Sequence, residues 1–243
     1  MTLAIDIGNT RTKAALFEEN RLLKTFVIEK IDWKKSIATI LHENTKITTI
    51  VVSSVGNVTK KDFEEWENRY EVVFLDVHSK FPFTNLYQTP NTLGIDRMLV
   101  ASGAVLQHPN RNRLVIDAGT CITYDFVNAS NEYLGGAISP GIHLRYEALH
   151  TFTAKLPLLT MEHPNYFIGN DTKTAIHSGV INGVLNEIKG FITAYEEEYS
   201  NFIIILTGGD SEFLANRLKN TIFANPNFLL ESLYETYQYL HQK

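Results

Sequence analysis

The stretch Leu3-Ala-Ile-Asp-Ile-Gly-Asn-Thr-Arg-Thr-Lys13 decides the fold predicted for this chain. It begins with apolar residues that lead into a turn, as a short buried strand does. Asp6 lies where the strand leaves the core, and Gly8 can adopt the positive φ angle that a tight turn often needs. The turn would present backbone N–H groups, short polar side chains and the charge of Lys13. Such a concave set of donors suits a phosphate group.

A carboxylate in this turn would repel a phosphate, so Asp6 needs a different task. We expect it to hold water on the cation that accompanies ATP. The alternative is an ordinary hairpin with a polar turn, and a single Asp-x-Gly-Asn motif favours that alternative. The stretch Leu114-Val-Ile-Asp-Ala-Gly-Thr-Cys-Ile-Thr123 repeats the pattern and reverses the preference. The sequence therefore predicts a duplicated phosphate-binding hairpin.

Composition narrows the class of protein. The chain has 243 residues, 44% hydrophobic and 20% charged, which is ordinary for a soluble globular protein. Its net charge of -5 gives no basic footprint for nucleic acid. There is no apolar run long enough to span a bilayer and no signal-peptide pattern. We therefore expect a cytoplasmic protein without nucleic-acid or membrane partners. Its one cysteine, Cys121, is expected to be a small buried side chain.

The order of predicted elements indicates two similar lobes, 1–110 and 111–243. The first reads as three strands, helix, strand, helix and strand, which is a mixed α/β layout. The second repeats the three strands and adds a long helix over about 171–199. Asp6 and Asp117 fall at the ends of equivalent strands. The predicted fold class is α/β, with duplicated lobes built from mixed β-sheets flanked by helices.

Equivalent strand ends in two lobes would face each other across a cleft. A nucleotide in that cleft would place Asp6 and Asp117 near its cations, with the Thr10 and Thr120 regions on phosphate oxygens. Taken separately, each aspartate could merely cap a turn.

The motif Thr207-Gly-Gly-Asp210 follows a predicted buried strand and precedes a helix. Two glycines let another backbone or a flat base come close, so an adenosine contact is expected after two phosphate hairpins. The alternative is a strand–helix turn without a ligand, which is common in α/β proteins.

The motif Gly94-Ile-Asp-Arg97 lies where an irregular loop meets a helix. Asp96 could act as a base, and the planar fork of Arg97 could clamp a substrate carboxylate. The alternative is an Asp in the first helical turn, where the helix dipole favours it, beside a solvated Arg. The residues alone slightly favour this alternative.

The long helix carries an apolar stripe with a four-residue spacing, which predicts packing. The stripe consists of Ile176, Val180, Val184, Ile188 and Ile192. Gly179 and Gly183 lie on an adjacent face, where close helix–helix contact, including contact across a subunit interface, would offset their cost. His143 and His177 are interpreted as ordinary polar or semi-buried residues, since they form no metal-ligand pattern.

Five motifs in order, spread over nearly the whole chain, resemble type III pantothenate kinase. They are Asp6-Ile-Gly-Asn-Thr10, Gly94-Ile-Asp-Arg97, Asp117-Ala-Gly-Thr120, Ile138-Ser-Pro-Gly141 and Thr207-Gly-Gly-Asp210. The resemblance implies the superfamily of acetate and sugar kinases, heat-shock chaperones and actin, with two RNase H-like lobes and ATP between them. It also implies the reaction, which is ATP-dependent phosphorylation of pantothenate to 4′-phosphopantothenate, the first step of coenzyme A biosynthesis.

The resemblance further implies the site residues. The ATP contacts would be Asp6, Ile7, Gly8, Asn9, Thr10, Arg11, Thr12, Lys13 and Thr120. The pantothenate contacts would be Tyr87, Gly94, Ile95, Asp96, Arg97 and Thr172. Asp117 would hold a monovalent cation, potassium or ammonium, and magnesium would accompany ATP. Asp96 would be the catalytic base, and an ordinary aspartate with a pKa of about 3.9 is already ionised at neutral pH. Thr172 would act within a homodimer.

The chain departs from the family pattern at a few positions. Thr89 stands where many members have Asn, Cys121 where many have Ala, and Ser53-Ser-Val-Gly-Asn57 lacks a proline often found after its valine. Two other functions stay open. An accessory transcription factor is disfavoured by the acidic charge and by the intact Asp96-Arg97 pair. A sugar kinase is disfavoured by Tyr87 and Thr172.

Overall fold

The structure is a computed structural model that describes residues 1–218 and 222–241. The described strands are β1 Thr2–Ile7, β2 Arg11–Glu18, β3 Arg21–Glu29, β4 Thr49–Ser54, β5 Glu71–Phe74, β6 Thr84–Asn85, β7 Asn112–Ala118, β8 Cys121–Val127, β9 Glu132–Pro140, β10 Phe202–Thr207 and β11 Phe223–Ala224. The described α-helices are α1 Trp33–Glu43, α2 Glu64–Glu67, α3 Ile95–Gln107, α4 Ile142–Thr151, α5 Thr172–Glu198, α6 Ser211–Ala215 and α7 Phe228–His241. Short 3-10 turns cover Lys30–Asp32, Lys60–Phe63 and Pro90–Thr92.

The chain divides into two compact units. Unit 1 contains Met1–Asn110, Val127–Leu134 and the segment from Asn227 onward, and unit 2 contains Arg111–Phe126 and Gly135–Pro226. The mixed α/β class with two mixed sheets flanked by helices is confirmed. The lobe boundaries at 1–110 and 111–243 stay a prediction, as does a nucleotide cleft between lobes.

Unit 1 is built on a five-stranded sheet in the order β3-β2-β1-β4-β5. β1 pairs antiparallel with β2 and parallel with β4, so its main chain is hydrogen-bonded on both sides. All six residues of β1 are buried, which explains why the strand reads as an apolar run. The register sets Asp6 beside Lys13 on one side and beside Ser53 on the other.

Close packing of α3 against α7 completes unit 1. Gly103 of α3 lies against Ser232 of α7, and Thr236 donates a hydrogen bond to the Ser102 hydroxyl at 2.7 Å. The ring of Tyr234 stacks on Phe17 of β2, with ring centroids 4.3 Å apart. These small and aromatic contacts hold the C-terminal helix on the first sheet.

In unit 2, the strand order is β11-β10-β7-β8-β9. β10 runs parallel to β7 and pairs Thr207 with Asp117. The predicted stripe on α5 is confirmed, since all five of its residues are buried in the core of this unit. The two-residue strand β6 pairs in parallel with the first residues of β9, within unit 1.

Some element bounds differ from the sequence prediction. The charged segment Lys60–Arg69, which the sequence predicts as a helix, forms a 3-10 turn and then only a four-residue helix. The helix that the sequence predicts over Ser211–Leu218 ends at Ala215. The two-residue strands β6 and β11 were not predicted, because two residues carry no periodic signal. In the described part of the chain, no helix is long and apolar enough to cross a membrane.

Substituting Gly103 tests the α3–α7 packing. A Cβ at Gly103 would overlap the Ser232 hydroxyl and lie 2.6 Å from its Cβ. We expect Gly103→Ala to destabilise the protein by about 1–3 kcal/mol through overpacking. The measurement is thermal or urea unfolding of the purified protein.

Gly190→Ala in α5 is the matched control, because a Cβ there would meet nothing within 4 Å. We expect this variant to gain roughly 0.5–1 kcal/mol, since Gly is costly inside a helix. Equal stability of both variants would contradict the packing described here.

Candidate active site

The first predicted phosphate hairpin joins β1 to β2. Asp6 is buried and accepts a 2.9 Å hydrogen bond from the Ser53 hydroxyl on β4. The Gly8 N–H donates to the Arg11 carbonyl oxygen at 3.1 Å and closes the turn. The predicted positive φ at Gly8 is wrong. Glycine is favoured there because a Cβ would lie 2.9 Å from the Arg11 oxygen.

Side-chain exposure divides the predicted ATP contacts of this hairpin into two groups. Asn9, Thr10 and Arg11 are exposed at the turn. Ile7 and Thr12 are buried, and the Thr12 hydroxyl has no hydrogen-bond partner among the described residues. A ligand at the turn would therefore meet the side chains of residues 9–11 first.

Asp96 lies in the first turn of α3. This position is the one that the alternative interpretation predicted. The Oδ1 atom of Asp96 accepts a 2.9 Å hydrogen bond from the Arg97 main-chain N–H. A Cβ at Gly94 would overlap that same oxygen, so the carboxylate folds back over the main chain of the preceding loop. Glycine at 94 leaves room for the Asp96 carboxylate in this position.

The predicted substrate clamp is a buried cationic and aromatic cluster. Arg97 is 6% exposed, so the alternative of a solvated arginine is wrong. Its guanidinium carbon lies 5.7 Å from the centroid of the Tyr87 ring, within the range of a cation–π contact. Tyr87 in turn packs near the buried ring of Tyr133, 6.2 Å away. The structure thus brings together Tyr87, Asp96 and Arg97 within unit 1.

Burial changes the ionisation of Asp96. Desolvation raises the pKa of its carboxyl, and the N–H and guanidinium of Arg97 lower that pKa only in part. The expectation of an ordinary aspartate is therefore wrong, because sequence alone does not show that the first turn of α3 is packed. A raised pKa suits a general base better than the usual value does.

The second predicted phosphate turn follows β7 in unit 2. Its residues Gly119 and Thr120 are approached closely by Gly141, where a Cβ would overlap both of their carbonyl oxygens. The Gly141 N–H donates to the Thr120 oxygen at 3.0 Å. Thr120 is exposed, as an ATP contact requires. Cys121 is also exposed, so its prediction as a buried side chain is wrong; Ile122 points into the core instead.

The turn after β10 packs against the same strand end. Gly208 has φ +93, and a Cβ there would overlap the Ala118 carbonyl oxygen and lie 2.5 Å from Asp117 Oδ1. Only glycine fits both the angle and the space. The prediction that two glycines admit another backbone is confirmed at Gly208, whereas Gly209 faces open space.

Asp117 pairs across the sheet with a residue that carries a buried hydroxyl. Its register partner Thr207 is 1% exposed, and the Thr207 hydroxyl has no hydrogen-bond partner among the described residues. Paired residues of neighbouring strands point to the same face of a sheet. No group of three or more His, Cys, Asp or Glu side chains that could hold a metal ion occurs in residues 1–218 and 222–241.

Arg145 of α4 fixes the segment that leads to Gly141. Its guanidinium donates to the Pro140 carbonyl oxygen at 2.9 Å and to the Ser139 hydroxyl at 2.8 Å, and it pairs with Glu187 of α5. Burial raises the pKa of Tyr124, whose hydroxyl donates to Glu187 at 3.0 Å. This network holds the end of β9 against the second turn.

Thr172 is the exposed first residue of α5. The helix start is capped by Asp171, which accepts a 3.0 Å hydrogen bond from the Thr174 N–H. His177 one turn later is fully buried rather than semi-buried, and its Nδ1 lies 2.8 Å from the Tyr146 hydroxyl. These contacts fix the backbone that presents Thr172.

An open groove runs along α5. It is lined by Phe167, Gly169, Ala175, Ser178, Gly179, Asn182, Gly183 and Asn186. A Cβ at Gly179 would meet nothing within 4 Å, and Phe167 is 74% exposed. Within unit 2, the predicted close contact at the helix glycines is therefore not made at Gly179.

Sequence reasoning missed Ser53, Tyr133 and Arg145. Ser53 reaches Asp6 only through the parallel pairing of β1 with β4, which are 47 residues apart. Tyr133 meets Tyr87 through a two-residue strand. Of these three residues, only Arg145 could have been noticed in the sequence, because it lies four residues after Gly141, which begins a helix.

The sequence profile of the family described as type III pantothenate kinase matches residues 2–194. The chain belongs to the type III pantothenate kinase family. The type III pantothenate kinase of Flavobacterium johnsoniae is 59% identical over 239 residues, covering 98% of this chain and 98% of that protein. That of Bacteroides fragilis strain YCH46 is 40% identical over 246 residues, with 96% of each chain covered.

Solved structures of lower sequence identity share the fold of this chain. A protein of Campylobacter jejuni described as a Baf family transcriptional activator has a TM-score of 0.65 at 24% identity, with 98% of each chain covered. A ROK family glucokinase from Streptomyces griseus, solved with glucose and AMPPNP, has a TM-score of 0.51 at 12% identity, with 96% of this chain and 98% of that chain covered. At these identities the likeness concerns the fold alone.

The environment of Asp96 generates a pH prediction for this pantothenate kinase family member. On the prediction that Asp96 is the catalytic base, it must be ionised to accept a proton, so kcat/KM should fall as pH drops through its raised pKa. In a plot of kcat/KM against pH, the midpoint of this fall on the acidic side, here called the acidic limb, should therefore lie above about 3.9, the pKa of an ordinary aspartate. Arg97→Met removes a charge that lowers this pKa and should move the limb to higher pH.

Arg97→Lys is the control, since it keeps a positive charge next to Asp96. Its acidic limb should stay near that of the wild type even if substrate binds more weakly. A limb in Arg97→Met that stays in place or moves to lower pH would contradict the assignment.

Proposed function

We propose that this chain transfers the γ-phosphoryl group of ATP to the primary hydroxyl of pantothenate, with Asp96 as the catalytic base. Membership of the type III pantothenate kinase family supports the reaction, whose product 4′-phosphopantothenate starts coenzyme A biosynthesis. The single observation that carries the assignment of residues is the cluster of Tyr87, Asp96 and Arg97, which combines a base and a cation at the start of one helix.

Pantothenate carries a carboxylate at one end and a primary hydroxyl at the other, and the proposed substrate site provides a partner for each. The Arg97 fork binds the carboxylate, and the Tyr87 ring packs along the chain between the carboxylate and the hydroxyl. The Asp96 carboxylate accepts a hydrogen bond from the primary hydroxyl and then takes its proton during transfer. Gly94 and Ile95 contribute main chain at this point. The close approach of the Asp96 carboxylate to Gly94, where a Cβ would overlap Oδ1, supports the position proposed for this base.

The nucleotide end of the proposed site uses both phosphate turns. Residues 6–13 and Thr120 contact ATP, with the exposed donors of Asn9, Thr10 and Arg11 directed at phosphate oxygens. Fixed N–H groups and cationic side chains stabilise charge on the transferring phosphoryl group. The locked main chain at Gly8 and at Gly141 supports this role, since preformed donors need no reorganisation during the reaction.

The cations belong to the same proposal. Asp6, oriented by the Ser53 hydroxyl, would hold the water shell of Mg²⁺, and Asp117 would hold K⁺ or NH₄⁺. The residues fit these groups, because a carboxylate and a buried unpartnered hydroxyl at Thr207 are oxygen donors of the kind that hard cations prefer. When bound, the cations neutralise charge on the phosphates.

A homodimer in the cytoplasm completes the proposed assignment. The groove on α5, with open space at Gly179 and exposed Phe167 and Ile168 beside it, supports a second copy of the chain as its occupant. Thr172 would then contact pantothenate as part of the dimer. The metabolic family supports the location, and the net charge of -5 argues against nucleic acid as a partner.

Asp96→Asn tests the proposed base. The amide keeps the size of the side chain but cannot accept the proton, so kcat for pantothenate should fall by about 10²–10⁴-fold. Initial rates of 4′-phosphopantothenate formation, with ATP and potassium varied, measure the loss. Asp32→Asn is the matched control, because Asp32 is exposed and makes no cap hydrogen bond; its rate should equal that of the wild type.

Two outcomes would contradict the proposal. Unchanged turnover of pantothenate by Asp96→Asn would remove Asp96 as the base. Turnover of a small sugar in place of pantothenate by the wild type would remove the substrate assignment.

A further inference from the structure

The carboxylate of Asp210 lies in the nucleotide region of unit 2 and has no task in the reaction described above. Its main chain is fixed, because the Asp210 N–H donates to the Ala118 carbonyl oxygen at 3.0 Å. The neighbouring Ser211 hydroxyl is buried and donates to the Gly208 oxygen at 2.7 Å. Asp210 is therefore anchored to the strand end from which the Gly119–Thr120 turn begins.

The side chain of Asp210 is not used by the fold. It precedes α6 but makes no cap hydrogen bond to that helix. Among residues 1–218 and 222–241, no donor forms a hydrogen bond with its carboxylate. The charged group that faces it is His143, an exposed residue of α4. Because His143 is exposed to solvent, its attraction to Asp210 contributes little to stability.

Partial burial makes an unused carboxylate costly. Desolvation raises the pKa of Asp210, and His143 lowers that pKa only in part. A polar group withdrawn from water without a hydrogen bond destabilises the protein unless a ligand supplies the missing partner. We therefore expect a bound ligand to supply the hydrogen-bond donor that the Asp210 carboxylate lacks.

The chemistry of a carboxylate restricts which part of a nucleotide it can meet. An ionised carboxylate only accepts hydrogen bonds, and it repels phosphate groups. The donors that ATP offers are the two ribose hydroxyls and the amino group of adenine. A pair of carboxylate oxygens matches the two adjacent hydroxyls of ribose, as acidic residues do in dinucleotide-binding folds. The open space at Gly209 beside Asp210 leaves room for the sugar.

We propose that Asp210 binds the 2′- and 3′-hydroxyls of the ATP ribose and makes the enzyme selective for ribonucleotides. The proposal rests on the proposed kinase function, because it requires ATP at the turn formed by Gly119 and Thr120. It adds a specificity residue at the sugar, whereas that turn binds the phosphates. The open space at Gly209 keeps the sugar side of the site clear.

The test measures how tightly the wild type and variants at Asp210 bind ATP and its deoxy analogues. Dissociation constants for ATP, 2′-deoxy-ATP and 3′-deoxy-ATP are measured by protection of Cys121 against alkylation, since this exposed single cysteine follows Thr120. KM values in the pantothenate assay provide a second readout. Asp210→Ala should weaken ATP binding by roughly ten- to a hundredfold, as expected for loss of hydrogen bonds to a charged group.

The same substitution should affect the deoxynucleotides much less. For the wild type, removing a ribose hydroxyl should weaken binding, and for Asp210→Ala it should change binding by less than about threefold, because coupled partners are not additive. Asp210→Asn, which keeps an acceptor but no charge, should fall between the two. Glu212→Ala is the matched control, since Glu212 is an exposed acid two residues away and should leave all constants unchanged.

Three results would overturn the proposal. They are an Asp210→Ala variant that binds ATP as tightly as the wild type, an equal loss for ATP and both deoxynucleotides, and selectivity that follows the adenine amino group instead of the ribose. A wild type that phosphorylates pantothenate but shows one of these results removes only the role of Asp210. A wild type that does not phosphorylate pantothenate removes the proposed function itself.

Discussion

The turn that follows β7 is packed against the main chain of two other segments, and the nucleotide contacts proposed for unit 2 depend on that packing. Gly141 and Gly208 approach the main chain of residues 117–120 so closely that a Cβ at either position would overlap a carbonyl oxygen. Adding atoms to such a contact costs about 1–3 kcal/mol or moves the backbone. The turn is thus fixed from two directions before any ligand arrives. Arg145 adds a third restraint through Ser139 and Pro140.

A balance between burial and charge shapes the cluster of Tyr87, Asp96 and Arg97 in unit 1, which is proposed to bind the substrate. There, burial of Asp96 and Arg97 strengthens the attraction between their charges, because charges interact more strongly away from water. Desolvation raises the pKa of Asp96, and the adjacent N–H and guanidinium of Arg97 limit the rise. The raised pKa makes this carboxylate a stronger proton acceptor than an ordinary aspartate. Tyr87 covers the guanidinium and Tyr133 supports Tyr87, so the packing of β6 on β9 sets this balance.

Local patterns in the sequence predicted much of the fold. The apolar run of β1 and the stripe on α5 depend on residues close together in the chain, and the structure confirms them. Features that depend on distant segments could not be predicted in this way. The exposure of Cys121 depends on the side to which β8 turns its first residue, and the ionisation of Asp96 depends on what packs over α3.

The same distinction applies to the candidate site. Motif residues such as Asp6, Thr120 and the segment 94–97 could be identified from their spacing and from the family resemblance. The side chains that orient them could not be identified from the sequence. Ser53 reaches Asp6 across parallel strands, and Arg145 donates a hydrogen bond to Ser139 near the end of β9. The conformation of Gly8 was predicted wrongly since close approach, rather than a positive φ, selects glycine there.

The most direct test of this account is a structure of the chain with pantothenate and a non-hydrolysable ATP analogue. The decisive quantity is the distance between the Asp96 carboxylate and the primary hydroxyl of pantothenate. The account predicts a hydrogen bond of about 2.6–3.2 Å, as a general base requires, with the pantothenate carboxylate at Arg97. Pantothenate bound with its hydroxyl out of reach of Asp96, or with its carboxylate away from Arg97, would contradict the account.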